Sequence, residues 1–176
     1  MNVELVNVIG GNDLGKSLDL HTLSFSLNRY SPNYEPEVAP GLYFELPDIG
    51  VTVMVFGSGK YHLTGGESIK QIYEADADFV RIIEHDMDIE VKRSKPEIRN
   101  LVYRGEFERE FDLAELAVDL PNSEYAAEEQ PGIKYRSDTF PGLMTIFRTG
   151  TFTITGSNQE RDAKGLVEEF QAQFPN

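Results

Sequence analysis

The chain has 176 residues, 40% of them hydrophobic, with no cysteine and a formal net charge of −14. That is too apolar for a disordered chain, and it excludes disulfides and thiolate metal sites. The acidity argues against indiscriminate nucleic-acid binding, because phosphate contact normally uses Lys and Arg.

Met1-Asn2-Val3-Glu4 carries neither the basic nor the apolar region of a signal peptide. No apolar run approaches the roughly 18 residues of a membrane span, so a cytoplasmic protein is expected. Residues 3–9 read as a strand, which Gly10-Gly11 ends. Asp19 is the expected N-cap of a short helix that turns Leu20, Leu23 and Leu27 inward. Residues 33–41, bounded by proline and glycine, form a loop, and residues 42–46 a short strand. Pro47-Asp-Ile-Gly50 then turns into a hairpin whose strands flank Gly57-Ser58-Gly59 and end at Thr64-Gly65. Residues 67–87 predict one long helix, with Ile69, Ile72, Tyr73, Phe79, Val80, Ile83 and Met87 at helical spacing. Its other positions, rich in Glu and Asp, are expected to face solvent. Residues 88–96 form a connecting segment, basic at Lys92-Arg93-Ser94-Lys95. They fit a phosphate contact and an exposed charged connection equally well.

The plan then restarts. Residues 98–102 answer the first strand, and Phe111-Asp-Leu113 answers Leu18-Asp-Leu20 at an offset of 93. Tyr125 answers Tyr34, Phe147 answers Phe56, Gly150 answers Gly59, and Thr155-Gly156 answers Thr64-Gly65, all at an offset of 91. The change of offset puts two extra residues in the first half near residues 29–33. Residues 133–136 form a short strand, and residues 158–174 close the chain as a helix with Ala163, Leu166, Val167 and Phe170 inward. A fixed offset fixes the architecture: two α+β repeats, residues 1–92 and 93–176, each a strand, a short helix, four strands and a long helix.

Several phrases, in order, carry a resemblance. They are Val6-Asn7-Val8 with Asn12-Asp-Leu-Gly15 and Leu18-Asp-Leu20; Tyr34-Glu-Pro-Glu37 with Pro40-Gly-Leu42; Phe56-Gly-Ser-Gly-Lys60; Leu63-Thr-Gly65; and Leu120-Pro-Asn-Ser-Glu-Tyr125. Together they resemble the TATA-box-binding protein family in its short archaeal form, over essentially the whole chain and in both repeats. The resemblance implies one curved antiparallel sheet, a saddle, with the long helices on its convex back. Its hollow face would lie in a widened minor groove of double-stranded promoter DNA, where an apolar, shape-reading sheet is a workable reader. It also implies a general initiation factor that recruits a B-type initiation factor and the RNA polymerase machinery. An apolar sheet left open invites pairing, so a homodimer of the free protein is expected too.

The family's groove-facing positions carry over residue by residue. The asparagine near the dyad is Asn7 and Asn100, positioned to hydrogen-bond base acceptors, and the apolar residue two further on is Ile9 and Val102. The strand-borne wedge is Phe56 and Phe147, with Met54 and Thr145 two before it. The threonine near the hairpin's end is Thr64 and Thr155, with His62 and Thr153 two before it. Lys60 and Arg136 are the phosphate-facing residues kept, while their repeat partners are Thr151 and Glu45. The family's second wedge, a Phe before Pro-Gly, is missing: Ala39 and Gln130 stand there, and Phe140-Pro-Gly142 falls one strand too late. A buried Phe is worth roughly 1.5–3 kcal/mol, so a divergent member with altered preference is expected. Glu128 and Glu129 are the acidic loop residues that would meet the B-type factor.

Singly, each residue has a blander reading. Asn7 and Asn100 would be turn formers, Phe56 and Phe147 core, Thr64 and Thr155 ordinary strand residues, Tyr34 and Tyr125 structural. Equivalent placement in two repeats favours the functional reading. His21, His62 and His85 lack ligand spacing, so no metal is expected. Gly57-Ser-Gly-Lys60 lacks the Walker spacing, and no carboxylate is arranged with a His and a nucleophile, so neither an enzyme nor a cofactor is expected. The rival is a divergent paralogue, a protein-interaction module or regulator on the same scaffold. Residues 1–88 hold 5 basic and 14 acidic side chains, and residues 89–176 hold 11 and 16. DNA binding then requires that the acids face away from it, or that the host has a salty cytoplasm.

Overall fold

A computed structural model describes residues 2–174. The first half runs β1 (Asn2–Asp13), α1 (Leu20–Ser26), a 3-10 turn (Asn28–Tyr30), β2 (Gly41–Leu46), β3 (Val51–Phe56), β4 (Lys60–Gly66) and α2 (Ile69–Met87). The second runs β5 (Glu97–Glu106), α3 (Leu113–Asp119), β6 (Ser123–Glu124), β7 (Gly132–Tyr135), β8 (Leu143–Phe147), β9 (Thr151–Ser157) and α4 (Glu160–Gln173). The described residues divide into two compact units, Asn7–Arg99, and residues 2–6 with 100–174. The strand order is β2-β3-β4-β1 in the first and β5-β9-β8-β7-β6 in the second, and the pairings β1·β4, β2·β3, β3·β4, β5·β9, β6·β7, β7·β8 and β8·β9 are antiparallel. The class is α+β.

The predicted signals act as expected at most element ends. Asp19 accepts from the His21 and Thr22 amides, and Asp112 accepts from the Ala114 and Glu115 amides. Each satisfies donors that the first helical turn leaves orphaned. Leu20, Leu23 and Leu27 are buried, as are Ile72, Phe79, Val80 and Ile83 of α2 and Ala163, Leu166, Val167 and Phe170 of α4. The hairpin glycines are demanded by space as well as by conformation. Gly59 and Gly150 both have φ +87°, and a Cβ there would lie 1.9 Å from the Lys16 carbonyl oxygen and 2.1 Å from that of Arg109.

Four expectations need correction. Gly10-Gly11 does not end the first strand; β1 runs on to Asp13. The register shifts between Val8 and Gly10, and a Cβ on Gly10 would fall 2.5 Å from Ile72 Cγ2, so the glycine lets α2 close on a bulged strand. The first half has three strands after its short helix, not four. The fourth shrinks to one bridge, Asn33 with Tyr43, in a segment that carries Pro32 and Pro36. The linker is not simply exposed: Val91 and Pro96 are buried, the Lys92 amide donates to the Leu14 carbonyl, Arg93 pairs with Glu84, and the Lys95 ammonium lies 4.7 Å from the Tyr73 ring centroid. Lastly, Asp76 is not on the solvated face of α2. It is 7% exposed and accepts hydrogen bonds from the Tyr61 hydroxyl at 2.5 Å and from Asn12 Nδ2 at 3.3 Å.

Candidate nucleic-acid interface

Side chains alternate across a strand, so each half has one face under its long helix and one without it. In β3, Val51, Val53 and Val55 are buried, while Thr52, Met54 and Phe56 are half-buried on the other face. In β4, Tyr61 and Leu63 are buried and His62 and Thr64 are half-buried. The second half repeats this: Met144 and Ile146 against Leu143, Thr145 and Phe147 in β8, then Phe152 and Ile154 against Thr151, Thr153 and Thr155 in β9. Phe56 and Phe147 therefore lie on the open faces and not under α2 and α4.

Strand register turns these residues into rows. Tyr43 pairs Met54, Met54 pairs His62, and His62 pairs Gly11. The equivalent row is Lys134, Thr145, Thr153 and Arg104. Gly41 faces Phe56 and Gly132 faces Phe147. A Cβ on Gly41 would stand 3.0 Å from Met54 Cε, and one on Gly132 would stand 3.1 Å from Phe147 Cδ1. The bare glycine of each Pro-Gly step lets the large side chain lie across its neighbour strand. The Phe56 ring also meets His62 edge-on, with centroids 5.4 Å apart.

Asn7 and Asn100 are held alike. The Gly65 amide donates to Asn7 Oδ1 at 3.0 Å, and the Gly156 amide donates to Asn100 Oδ1 at 2.7 Å. Both glycines sit at positive φ, +93° and +81°, which aims the amide at the side chain. With each Oδ1 engaged, each Nδ2 is the group free to turn outward, and it is a donor. The minor-groove edges of A·T pairs present only acceptors, so a fixed donor suits them. Ile9 and Val102, two residues further along each strand, are half-buried. His62 is held below its usual 6.5 by burial first and by the Arg99 charge second, so at neutral pH it offers one donor and one acceptor.

The remaining predicted positions lie at the edges of this picture. Lys60 and Arg136 are exposed, and so is Glu45. Glu128 and Glu129 are exposed on a turn in which the Glu129 and Gln130 amides both donate to the Ala126 carbonyl at 2.9 Å. Ala39 closes the matching turn of the first half, its amide donating to the Glu35 carbonyl. Phe140 is committed elsewhere: a Cβ on Gly165 would lie 2.3 Å from its Cε1, so the ring rests on α4. Sequence reasoning missed Tyr43, Lys134, Arg104 and Arg99. For Arg104 and Lys134 a signal exists, since steps of two run from Asn100 through Val102 to Arg104, and from Arg136 back to Lys134. Among the described residues no His, Cys, Asp or Glu group is placed to hold a metal, and no helix is long and apolar enough to cross a membrane.

Comparison with known proteins bears on this geometry directly. The family described as "Transcription factor TFIID (or TATA-binding protein, TBP)" matches residues 2–85 and 95–174. The chain is 30% identical to TATA-box-binding protein C of Halobacterium salinarum over 178 residues, covering 98% of this chain and 97% of that one. It is 33% identical to the TATA-box-binding protein of Pyrococcus abyssi over 174 residues, covering 96% and 87%. Its structure is similar to that of Methanococcus jannaschii TBP, with a TM-score of 0.83 and 31% identity over 98% of both chains.

Proposed function

The chain belongs to the TATA-box-binding protein family, and we propose that it is an initiation factor that binds A/T-rich promoter DNA through the minor groove. Its relatives are transcription factors and not enzymes. One observation carries the reading. Each half presents the same set on its open face: an asparagine amide donor clamped through its oxygen, a half-buried Phe, and a Thr near the end of the hairpin. The donors of Asn7 and Asn100 meet base acceptors. Ile9, Val102, Met54, Thr145, Thr64, Thr155, His62 and Thr153 give the shape-reading surface. Phe56 and Phe147 part base steps, which costs a few kcal/mol per step and is offset by the surface that bent DNA then covers. Lys60 and Arg136 take phosphates at the rim. Glu128 and Glu129 form an acidic corner for a B-type initiation factor, which brings the polymerase machinery. The free protein pairs through the same open surface, and the cytoplasm, on the nucleoid, is where it acts.

A second reading has its own support. Ala39 and Gln130 provide no second wedge, and the net charge is −14, which suits a regulator that binds partners without DNA. A salt-titrated shift assay with A/T-rich and scrambled duplexes separates the two. Selective binding to the A/T-rich duplex supports the initiation factor; association with the B-type factor alone supports the regulator.

A further inference from the structure

The first-half row ends at Gly11, opposite His62, where the second-half row ends in Arg104, opposite Thr153. The first half nevertheless holds a cation there. A Cβ built on Gly11 would lie 2.6 Å from Cζ, 2.8 Å from Nε and 2.9 Å from Nη1 of Arg99. The guanidinium therefore occupies the space above the bare Cα, on the face that Gly11 shares with His62. Arg99 is also one of the two causes that lower the His62 titration, which agrees with a charge close to the ring. Its ion pair with Glu97 is long, 3.9 Å, to a carboxylate whose side chain is 77% exposed, so it competes weakly for the guanidinium.

We propose that Arg99, seated over Gly11, is a minor-groove-reading cation of the first half and the counterpart of Arg104 in the second. The inference rests on the DNA reading above and adds two residues to it. Gly11 is the positioning residue, since any side chain there evicts the guanidinium. Arg99 flanks Asn100 in β5, so alternation alone would turn it away from the face on which Asn100 lies. Only the glycine gap brings it round. In a narrow A/T groove the enhanced negative potential attracts a guanidinium, which donates to the acceptors at adenine N3 and thymine O2. A G·C pair adds the guanine amino donor at that edge and opposes it. The two halves thus reach one charge pattern by different routes, a side chain in place in one and a side chain leaning over a glycine in the other.

The test compares Gly11→Ala, Arg99→Ala, the double variant and Arg161→Ala with the unaltered protein. Binding to A/T-rich and G/C-rich duplexes is read by fluorescence anisotropy over a salt series. Unfolding midpoints show that each variant folds. Removing one cation from DNA contact makes the slope of log K on log salt less negative by about 0.9. Arg99→Ala is expected to give that change, together with a narrower A/T-over-G/C preference. Gly11→Ala, which alters no charge, is expected to give the same change, and the double variant no more than either. Arg161→Ala, on α4, is expected to leave slope and preference unaltered. If the unaltered protein binds selectively and Arg99→Ala or Gly11→Ala keeps its slope and preference, this inference fails alone. If the unaltered protein binds neither duplex, the DNA reading fails and takes the inference with it.

Discussion

Asn7 and Asn100 each do two things with one side chain. The oxygen receives the Gly65 or Gly156 amide, and the nitrogen is left as a donor on the open face. Asn→Asp at either position separates the two. An aspartate keeps an oxygen for the glycine amide, but puts an anionic acceptor where the proposed DNA reading needs a donor to base acceptors. Asn7→Asp and Asn100→Asp are each expected to cost about 1–3 kcal/mol of binding to an A/T-rich duplex. Denaturant stability is expected to stay within about 0.5 kcal/mol. Affinity unchanged in both variants would make the asparagines turn clasps only. At this scale the legible residues were those fixed by alternation and repetition. Phe56, Met54, His62 and Thr64 step by two along a hairpin and recur as Phe147, Thr145, Thr153 and Thr155. Arg99 was not legible, because its position depends on the absence of a side chain 88 residues away at Gly11, a tertiary fact without a local pattern.

Elements reveal where the two halves part company. In the first, Tyr61 of β4 and Asn12 of β1 both donate to buried Asp76 of α2, and Ser94 of the linker donates to Asn12 Oδ1 at 2.8 Å. Asn12 Nδ2 returns a bond to the Ser94 carbonyl at 2.9 Å. Strand, helix and linker are thereby stapled through one carboxylate. At the matching positions the second half has Phe152 and Val167, both buried, and fills the space with apolar side chains. Burial pushes the Asp76 carboxyl up from its usual 3.8, against the hydrogen bonds of Tyr61 and Asn12. Burial, followed by the hydrogen bond to Asp76, pushes the Tyr61 hydroxyl up as well. The folded state thus holds the Asp76 proton to higher pH than the unfolded chain. This contribution to stability is present below 3.8 and declines as pH rises through the raised folded value. Asp76→Asn keeps the Oδ1 acceptor for both donors and removes the titration. Urea midpoints taken from acid to neutral pH are expected to fall in the parent relative to the variant, and parallel curves would show that Asp76 does not titrate in this range. Periodicity could not have found the staple. An acid on a helix otherwise rich in exposed acids carries no mark of burial until Tyr61 is seen beside it. The same limit explains Gly10-Gly11, which reads as a break until Ile72 is found filling the space where a Cβ would be.

For the whole molecule, the duplication was the strongest signal in the chain. It set the α+β class, the order of elements in each half and the equivalence of the open-face residues. In element order the first half departs from it where a strand is reduced to the Asn33–Tyr43 bridge. Net charge was the weakest guide. Glu74, Asp78, Glu84 and Asp86 all belong to α2, away from the open face, whereas Arg104 and Lys134 sit in the second-half row and Arg99 leans into the first. A sum over 176 residues hides that arrangement, although electrostatic attraction depends on it. Base pairs, on this reading, are recognised from the minor groove by fixed donors and an apolar surface. Inosine substitution tests this most directly, because an I·C pair presents the minor-groove edge of A·T while keeping the major-groove pattern of G·C. A promoter duplex in which every A·T pair is replaced by I·C is expected to bind about as tightly as the original, and a G·C replacement is expected to lose selective binding. An I·C duplex that behaves like the G·C one would contradict minor-groove readout.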